Sequence, residues 1–272
     1  MNLRAFLVVV ASFVAAHLFM PAAFAQESTL DVVKKRGELI AGVRYDMPPY
    51  GYVGDGGSVA GIDIEIVNAI AKKLGVKVQF KQVTAQTRIP MLISGNIDLI
   101  AAGIGHTLER EQAVDFTVTY FENVTQFLVK GGSNIKGYRD LAGKTVASLQ
   151  GTPHFAGLRS KEASVKPLTL QEYPQAVLAV MNGKADAFMG DDATLLRMMK
   201  QNKGVKVVGD PHDFPRWRIA LAVRPNDSRW RNILNSVLAE MWKDGSLQKA
   251  AEAQGYKYDS RFEIEDWSGW KF

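Results

Sequence analysis

The chain has 272 residues, of which 47% are hydrophobic, and it carries a formal net charge of +5. This length is enough for one large domain or two modest ones with real cores. Basic and acidic residues are interspersed without a basic block, so the charge favours small anionic partners over nucleic acid. Because there is no cysteine, disulfides, cysteine–zinc sites, cysteine nucleophiles and a lipid-modified N-terminal cysteine are excluded.

Residues 1–25 have the pattern of a secretory signal peptide. Arg4 gives a positive start, an apolar stretch follows, and AFA at 23–25 is a small-x-small cleavage signal. An uncleaved anchor helix is the alternative, because the apolar run is nearly long enough to span a bilayer. The polar residues after Ala25 favour cleavage, so we expect an exported, soluble protein.

The next segment predicts a β-α-β-α-β unit. LIAGV at 39–43 is typical of a buried strand, and apolar residues at 62, 66, 70 and 74 have helical spacing that ends at Gly75. The strands VKVQFKQV and IDLIAA flank a short helix that tolerates Pro90 in its first turn. RYDMPPYGYVGDGG, at 44–57, is expected to be a loop. This alternation predicts a parallel sheet covered by helices.

A second α/β set follows from VTQFLVKGG onward. Its first helix is expected to begin at Pro153 behind an N-cap at Thr152. ADAFMG and RIALAV read as strands, and RWRNILNSVLAEMWKDG reads as an amphipathic helix. The stretches 96–110 and 182–196 share a helix end, a glycine, an aspartate, an apolar strand and a second glycine. This weak repeat predicts two similar lobes with ligand-binding loops beyond the strand ends.

Arg110 is the first candidate for binding a ligand. It follows a predicted strand, with Gly103 and Gly105 between, where glycine allows a backbone to approach a ligand closely. The arginine fork fits a carboxylate. The alternative is a surface arginine paired with Glu109 or Glu111.

The second set of loops offers complementary groups. Backbone N–H groups around Thr152 lie at a helix N-terminus and could hold an anion, although an ordinary N-cap is equally consistent. Asp191 and Asp192 follow a buried strand, and either could bind an ammonium group. Capping by Asp192 would leave Asp191 for the ligand. Anion sites on both lobes with a carboxylate opposite them indicate a zwitterion.

Four motifs in this order resemble one family: PPYGYVGDGGSVAGIDIEI, RIPMLISGNIDLIAAGIGHTLEREQAVDFT, LAGKTVASLQGT and GKADAFMGDD. The chain resembles the periplasmic amino-acid-binding proteins of ABC transporters, the extracellular solute-binding proteins of family 3. This implies the α/β two-lobed periplasmic binding protein type II fold, with a mainly parallel sheet in each lobe and two hinge crossovers. Residues 26–123 plus 219–272 would form lobe 1, and residues 124–218 lobe 2.

The resemblance also implies partners and a location. We expect a periplasmic monomer that binds a small amino acid, needs no metal or other cofactor, and serves an ABC transporter membrane permease. By matching motif, Arg110 would clamp the α-carboxylate with the backbone around Gly105 and with Thr152. Gly103 and Asp191 would take the α-amino group.

Three positions depart from the family pattern. Members usually have Ser or Thr where this chain has Gly105, an apolar residue in place of His106, and often an aromatic residue in place of Met47. These differences remove a hydroxyl and a stacking surface from the expected site.

Two further arginines bear on the ligand's side chain. Arg44 and Arg88 align with arginines that similar glutamate/aspartate binders use for the distal carboxylate, and Tyr173 aligns with a polar or aromatic contact. Arg44 as a solvated loop residue and a generic helix start at RIP are the alternatives. Acidic amino acids are therefore the expected ligands, with other polar amino acids or small carboxylates as alternatives.

Two other functions compete with transport. Cyclohexadienyl dehydratases look similar, but a general acid or base would have to come from His106 or His154, each a lone histidine. No nucleophile–base pair or metal cluster is recognisable. A sensory module is disfavoured because no transmembrane or kinase segment follows the lobes. We therefore expect a binding protein and not an enzyme.

Overall fold

The computed structural model describes residues 27–256. The predicted signal peptide (1–25) and the charged, aromatic stretch at 258–272 lie outside the described residues. Within 27–256, no helix is both long and apolar enough to cross a membrane.

The first part of the chain alternates strands and helices. In order, its elements are α1 (Thr29–Arg36), β1 (Glu38–Val43), β2 (Asp46–Met47), β3 (Gly51–Val53), β4 (Val59–Ala60), α2 (Ile62–Leu74), β5 (Lys77–Gln82), α3 (Arg88–Ile93), β6 (Leu99–Ala101), α4 (Leu108–Glu111) and β7 (Asp115–Asn123).

The remaining elements begin directly after β7. They are β8 (Thr125–Lys130), a 3₁₀ turn (Tyr138–Leu141), β9 (Thr145–Leu149), α5 (His154–Lys161), β10 (Lys166–Leu170), α6 (Tyr173–Met181), β11 (Ala187–Asp191), α7 (Asp192–Gln201), β12 (Val205–Val208), β13 (Trp217–Val223), α8 (Ser228–Lys243) and α9 (Ser246–Ala253).

Two five-stranded sheets form the two lobes. The first has the order β5-β1-β6-β13-β7 and the second β10-β9-β11-β8-β12. The prediction of two α/β lobes with mainly parallel sheets is confirmed, and each sheet is mixed because one of its five strands runs opposite to the other four. β13 is antiparallel to β6 and β7, and β8 is antiparallel to β11 and β12. The reason is the crossovers, because each of these strands enters its sheet from the opposite lobe.

Helix α2 shows how the sequence pattern builds the core. Ile62, Ile66 and Ile70 have no exposed surface and face the first sheet. Burying an isoleucine side chain contributes about 1.5–3 kcal/mol each. The helix ends at Gly75, whose φ of 68° is left-handed and favours glycine.

The predicted loop at 44–57 contains the strands β2 and β3, which pair with β4 in a small separate sheet. Glycine makes this hairpin possible. A Cβ atom at Gly51 would lie 2.4 Å from the carbonyl oxygen of Arg44, so no other residue fits without moving the backbone.

Two helix starts also differ from expectation. α5 begins at His154, with Pro153 in the N-cap position, because the Thr152 hydroxyl donates to the carbonyl of Leu149 (2.7 Å) and closes the preceding turn. Asp191 occupies the N-cap position of α7, and Asp192 is the first helical residue.

Candidate functional site

A cleft between the lobes collects all the residues that the sequence singled out as ligand-binding. Its space, partly open to solvent, is about 370 Å³. The residues expected in the site that line it are Arg44, Met47, Arg88, Gly103, Gly105, Arg110, Thr152, Tyr173 and Asp191. They lie at or just beyond the ends of strands and at helix starts, where α/β folds bind ligands. Their roles toward a ligand stay predictions.

Arg110 reaches across the cleft. Helix α4 starts behind Thr107, whose hydroxyl accepts the backbone N–H of Arg110 at 3.2 Å. Nη1 of Arg110 donates to the carbonyl of Gly105 (2.7 Å), and Nη2 donates to the carbonyl of Gly151 in the other lobe (3.1 Å). Burial lowers the pKa of Arg110, and the charge of Asp191 in the same cleft opposes that shift.

Glu111, one of the partners considered for Arg110, pairs with a different side chain. Its Oε1 lies 2.7 Å from Nε2 of His106, and the His106 ring stacks on Phe116 with centroids 4.5 Å apart. His106 does not line the cleft. These contacts leave the guanidinium of Arg110 directed at the interlobe space.

Asp191 is held on the opposite wall by a chain of polar contacts. Trp217 Nε1 donates to the hydroxyl of Thr125 (2.7 Å), which lies 3.3 Å from Nδ1 of His154. His154 Nε2 is 3.5 Å from Asp191 Oδ1, and the Tyr173 hydroxyl is 3.4 Å from Asp191 Oδ2. Because a carboxylate only accepts hydrogen bonds, a neutral His154 would carry its N–H on Nε2, facing Asp191, and its Nδ1 would accept from the Thr125 hydroxyl.

The charge state of His154 follows from its burial, which lowers its pKa, with the nearby arginines acting in the same direction and Asp191 against them. We therefore take His154 as neutral at pH 7. It orients the Asp191 carboxylate without cancelling its charge.

Arg44 is buried and is not a solvated loop residue. Its side chain is 1% exposed and makes a bidentate pair with Asp46, from Nε to Oδ1 at 2.8 Å and from Nη2 to Oδ2 at 2.7 Å. The sequence interpretation missed Asp46. The two residues lie on either side of a bend at Tyr45 between β1 and β2, and an acidic residue two positions from an arginine was the available signal.

Arg88, the first residue of α3, differs from Arg44 because no carboxylate pairs with it among the described residues. It is 3% exposed, its Nη1 donates to the carbonyl of Ala102 (2.9 Å), and its Nε has no hydrogen-bond partner. Burial is the largest influence on its pKa and lowers it, and the charges of Arg110 and Arg44 add to that effect. Arg88 is therefore a buried guanidinium without an ion pair among the described residues, and the carboxylates of Asp191 and Asp63 act on it only from a distance.

Gly103 shapes the part of the cleft that Met47 lines. Gly103 has a φ of 54°, and a Cβ there would lie 2.8 Å from Cε of Met47, so Met47 packs directly on it. The N–H of Gly103 donates to Asp63 Oδ2 (2.7 Å), and Tyr120 donates to Asp63 Oδ1 (2.5 Å). The backbone at Gly103 is thus fixed from behind by a buried carboxylate.

Other lining residues were not expected from the sequence as ligand-binding: Ala85, Leu149, Pro153, His154, Trp217 and Ile219. Trp217 begins β13, the strand that returns to the first lobe. A tryptophan at the predicted crossover was the available signal, but its direction depends on how the lobes are oriented.

The similarity to known proteins covers most of this chain. The sequence profile of the bacterial extracellular solute-binding proteins, family 3, matches residues 39–254. The ABC transporter glutamine-binding protein GlnH of Bacillus subtilis strain 168 is 35% identical over 225 residues, which are 81% of this chain and 82% of that protein. Other similar proteins are named for binding L-cystine, arginine and L-glutamate/L-aspartate.

Solved structures agree with this family. An ancestral arginine-binding protein bound to arginine is 38% identical, with a TM-score of 0.75 over 80% of this chain and 98% of its own. The ancestral amino acid-binding protein AncCDT-1, a precursor of cyclohexadienyl dehydratase, is 33% identical, with a TM-score of 0.78 over 84% of this chain and 99% of its own.

Proposed function

Because the chain belongs to the bacterial extracellular solute-binding proteins of family 3, we propose that its cleft captures an acidic α-amino acid, glutamate or aspartate. The protein would deliver this ligand to the membrane permease of an ABC transporter. The class, an amino-acid-binding protein, follows from the family; the acidic ligand is argued from the charges of the cleft.

The charges that line the cleft support an anionic ligand. Arg44 is neutralised by Asp46, which leaves the guanidinium groups of Arg88 and Arg110 against the single carboxylate of Asp191. Among the described residues that line the cleft, one positive charge is therefore left without a carboxylate, and the carboxylate of Asp63 lies behind the lining at Gly103. A glutamate or aspartate zwitterion carries one net negative charge and balances it, whereas arginine as a ligand would add a second positive charge.

Each group of such a ligand has a complementary partner. Arg110 would bind the α-carboxylate through its fork, and Asp191 would accept from the α-ammonium group with Gly103. Arg88 would bind the distal carboxylate. This assignment keeps Arg88 in the role expected from the sequence but makes Arg44 a supporting residue and not a direct ligand.

Thr152 fits a carboxylate less well than expected. Its hydroxyl and its N–H both donate to the carbonyl of Leu149, at 2.7 and 3.3 Å. As placed, the Thr152 oxygen can accept from an ammonium group, but it has no proton left for a carboxylate.

The proposal also includes the location, the oligomeric state and the lobe boundaries of the protein. We propose that residues 1–25 direct export to the periplasm, and that the protein acts as a monomer. We also propose that residues 26–123 with 219–272 and residues 124–218 move as the two lobes. The extracellular character of the family supports export.

The acidic ligand rests on the buried guanidinium of Arg88, which has no ion pair within residues 27–256, and removal of this group is the test. We expect Arg88→Met to weaken glutamate and aspartate binding about tenfold or more, since a hydrogen bond to a charged group contributes roughly 1.5–3 kcal/mol. Glutamine, which lacks the distal charge, should lose less affinity. Isothermal titration calorimetry with the twenty amino acids and small dicarboxylates measures both.

Arg139→Met, at an exposed site in the second lobe, is the matched control and should bind like the wild type. The acidic ligand is wrong if neither glutamate nor aspartate binds the wild type, or if Arg88→Met leaves their affinities unchanged.

The dehydratase alternative has one observation in its favour, the buried His154 beside Asp191 in the cleft. A purified sample incubated with prephenate or arogenate decides between the two functions. We expect no turnover, because a neutral His154 that is held by Thr125 and directed at Asp191 orients a binding group. Turnover that His154→Gln abolishes would establish the enzyme.

A further inference from the structure

We propose that Asp46 determines the specificity of the cleft: it cancels the charge of Arg44 and ties the two lobes together, so that the ligand meets one distal guanidinium and not two. This inference rests on the proposed function, since it concerns the ligand's second carboxylate.

The ion pair between Arg44 and Asp46 is largely shielded from solvent. Arg44 is 1% exposed and Asp46 11% exposed, and their bidentate contacts occupy Nε and one hydrogen of Nη2. A planar fork matched to a carboxylate is the strongest pairing available to arginine. Because both side chains are largely shielded from solvent, such a pair acts as a neutral unit. A ligand anion would therefore gain little from Arg44 while Asp46 is charged.

The same carboxylate also contacts the other lobe. Oδ2 of Asp46 accepts the backbone N–H of Tyr173 at 3.0 Å, and Tyr173 is the first residue of α6. A carboxylate at a helix N-terminus is favoured by the helix dipole. Asp46 is thus shared between a guanidinium of the first lobe and a helix start of the second.

The ring of Tyr173 connects this contact to the cleft. Tyr173 lines the ligand space, and Cζ of Arg44 lies 5.6 Å from its ring centroid. Asp46 therefore positions both Arg44 and Tyr173 although it does not itself line the cleft. Its influence on a ligand is exerted through these two neighbours, which makes it a positioning residue.

Asp46→Asn removes the negative charge of the side chain and nearly keeps its shape. Asparagine has nearly the same volume, and its carbonyl oxygen can still accept from Tyr173, but the charge on Arg44 becomes uncompensated. A buried, unpaired charge is destabilising, and an anionic ligand relieves it. We expect the ratio of glutamate affinity to glutamine affinity to rise about tenfold or more.

The test is a double-mutant cycle with Arg44→Met, Asp46→Asn and the double variant, titrated with glutamate, aspartate, glutamine and arginine. Arg44→Met alone leaves Asp46 unpaired, so its glutamate-to-glutamine ratio should fall. In the double variant the ratio should return toward the wild-type value. Asp140→Asn, at an exposed site in the second lobe, controls for long-range charge and should leave the ratio unchanged.

Thermal unfolding without ligand gives a readout that does not depend on which ligand the protein takes. Asp46→Asn should lower Tm, and adding Arg44→Met should restore part of the loss. The inference is overturned if the ratio does not change in Asp46→Asn, or if the double variant matches Asp46→Asn in ratio and Tm.

These outcomes separate the inference from the proposed function. If the wild type binds glutamine and no acidic amino acid, the proposed ligand is wrong. A gain of glutamate binding in Asp46→Asn would then still support the charge-cancelling role of Asp46.

Discussion

At the scale of single residues, Gly105 is the position where the resemblance to the family leads us to expect Ser or Thr. A Cβ at Gly105 would lie 3.5 Å from Nη1 of Arg110 and 3.5 Å from Trp217, which is ordinary van der Waals contact. A serine therefore fits without moving the backbone. Its hydroxyl would stand beside the guanidinium that is expected to hold the α-carboxylate.

We predict that Gly105→Ser strengthens binding of the natural ligand about tenfold, because a hydrogen bond to a charged group contributes roughly 1.5–3 kcal/mol. Gly105→Ala is the matched control, since it adds the Cβ without the hydroxyl. Titration calorimetry on both variants measures the difference. Equal affinities of the serine and alanine variants would contradict a carboxylate beside Gly105.

Asp63 gives the pH dependence at the same scale. Burial raises its pKa to about 6 from an ordinary value of 3.8, although hydrogen bonds from Tyr120 and Gly103 and the charge of Arg88 oppose the shift. Between pH of about 4 and about 6 the folded protein therefore binds more protons at Asp63 than the unfolded chain does. The contribution of this group to stability is full below that window and is lost as pH rises through it.

We predict that the free energy of unfolding, measured relative to Asp63→Asn, falls by up to about 3 kcal/mol between pH 4 and pH 6.5 and is flat above. Urea unfolding of both proteins over this pH range measures the difference, and the interval from pH 7 to pH 8 is the internal control. A constant difference at all pH values would show that Asp63 does not titrate in this window.

At the scale of elements, the turn between β9 and α5 meets the loop before α3 across the cleft. Gly151 has a φ of 78°, and a Cβ there would lie 2.8 Å from the carbonyl oxygen of Ala85 and 3.0 Å from Cα of Gln86. These are backbone atoms of the other lobe, so neither side can yield cheaply. Only glycine at this turn lets the lobes approach this closely.

We predict that Gly151→Ala weakens ligand binding at least about tenfold by keeping the lobes apart. Gly143→Ala is the matched control, because Gly143 also has a left-handed φ (68°) but open space around its Cβ position. Both variants should lose about 1–2 kcal/mol of stability from the left-handed strain. If the two variants lose affinity equally, the close approach at Gly151 has no part in binding.

Elements also show which structural features a sequence can reveal. The apolar spacing of α2 and the glycine after it are local, and they predicted that helix correctly. The direction of β8 and β13 is not local, because it depends on which lobe each strand comes from. The start of α5 was misplaced for a different, local reason, since the Thr152 hydroxyl bonds back to Leu149, three residues earlier, and does not cap the helix.

At the scale of the whole molecule, the cleft was foreseeable because its loops follow strand ends in both halves, and those ends meet in this architecture. Which arginine of the cleft keeps an unneutralised charge could not be predicted from the sequence. Arg44 and Arg88 look alike in the sequence, yet one is neutralised and the other is not. That difference depends on where Asp46 lies in the folded protein.

The lobes are also linked away from the ligand, near the end of α9. The hydroxyl of Tyr256 donates to Oδ2 of Asp192 at 3.2 Å, which joins the segment after α9 to the start of α7. The Tyr256 ring packs on Phe121 in β7, with centroids 4.8 Å apart. Asp192 also accepts the N–H of Val124 (3.1 Å), the residue between β7 and β8. Tyr256 therefore bonds to a residue that is fixed to the first crossover.

We predict that Tyr256→Phe lowers ligand affinity about fivefold without altering any residue that lines the cleft. The hydroxyl bond joins the lobes in the arrangement where Arg110 and Gly151 also meet, so losing about 1 kcal/mol there shifts the equilibrium away from the binding-competent form. Tyr52→Phe is the matched control, because its hydroxyl bonds to Gln254 within the first lobe (2.7 Å). Calorimetric titration of the two variants should give weaker binding for Tyr256→Phe alone. Equal losses in both would place the effect in the stability of the first lobe and not in the link between lobes.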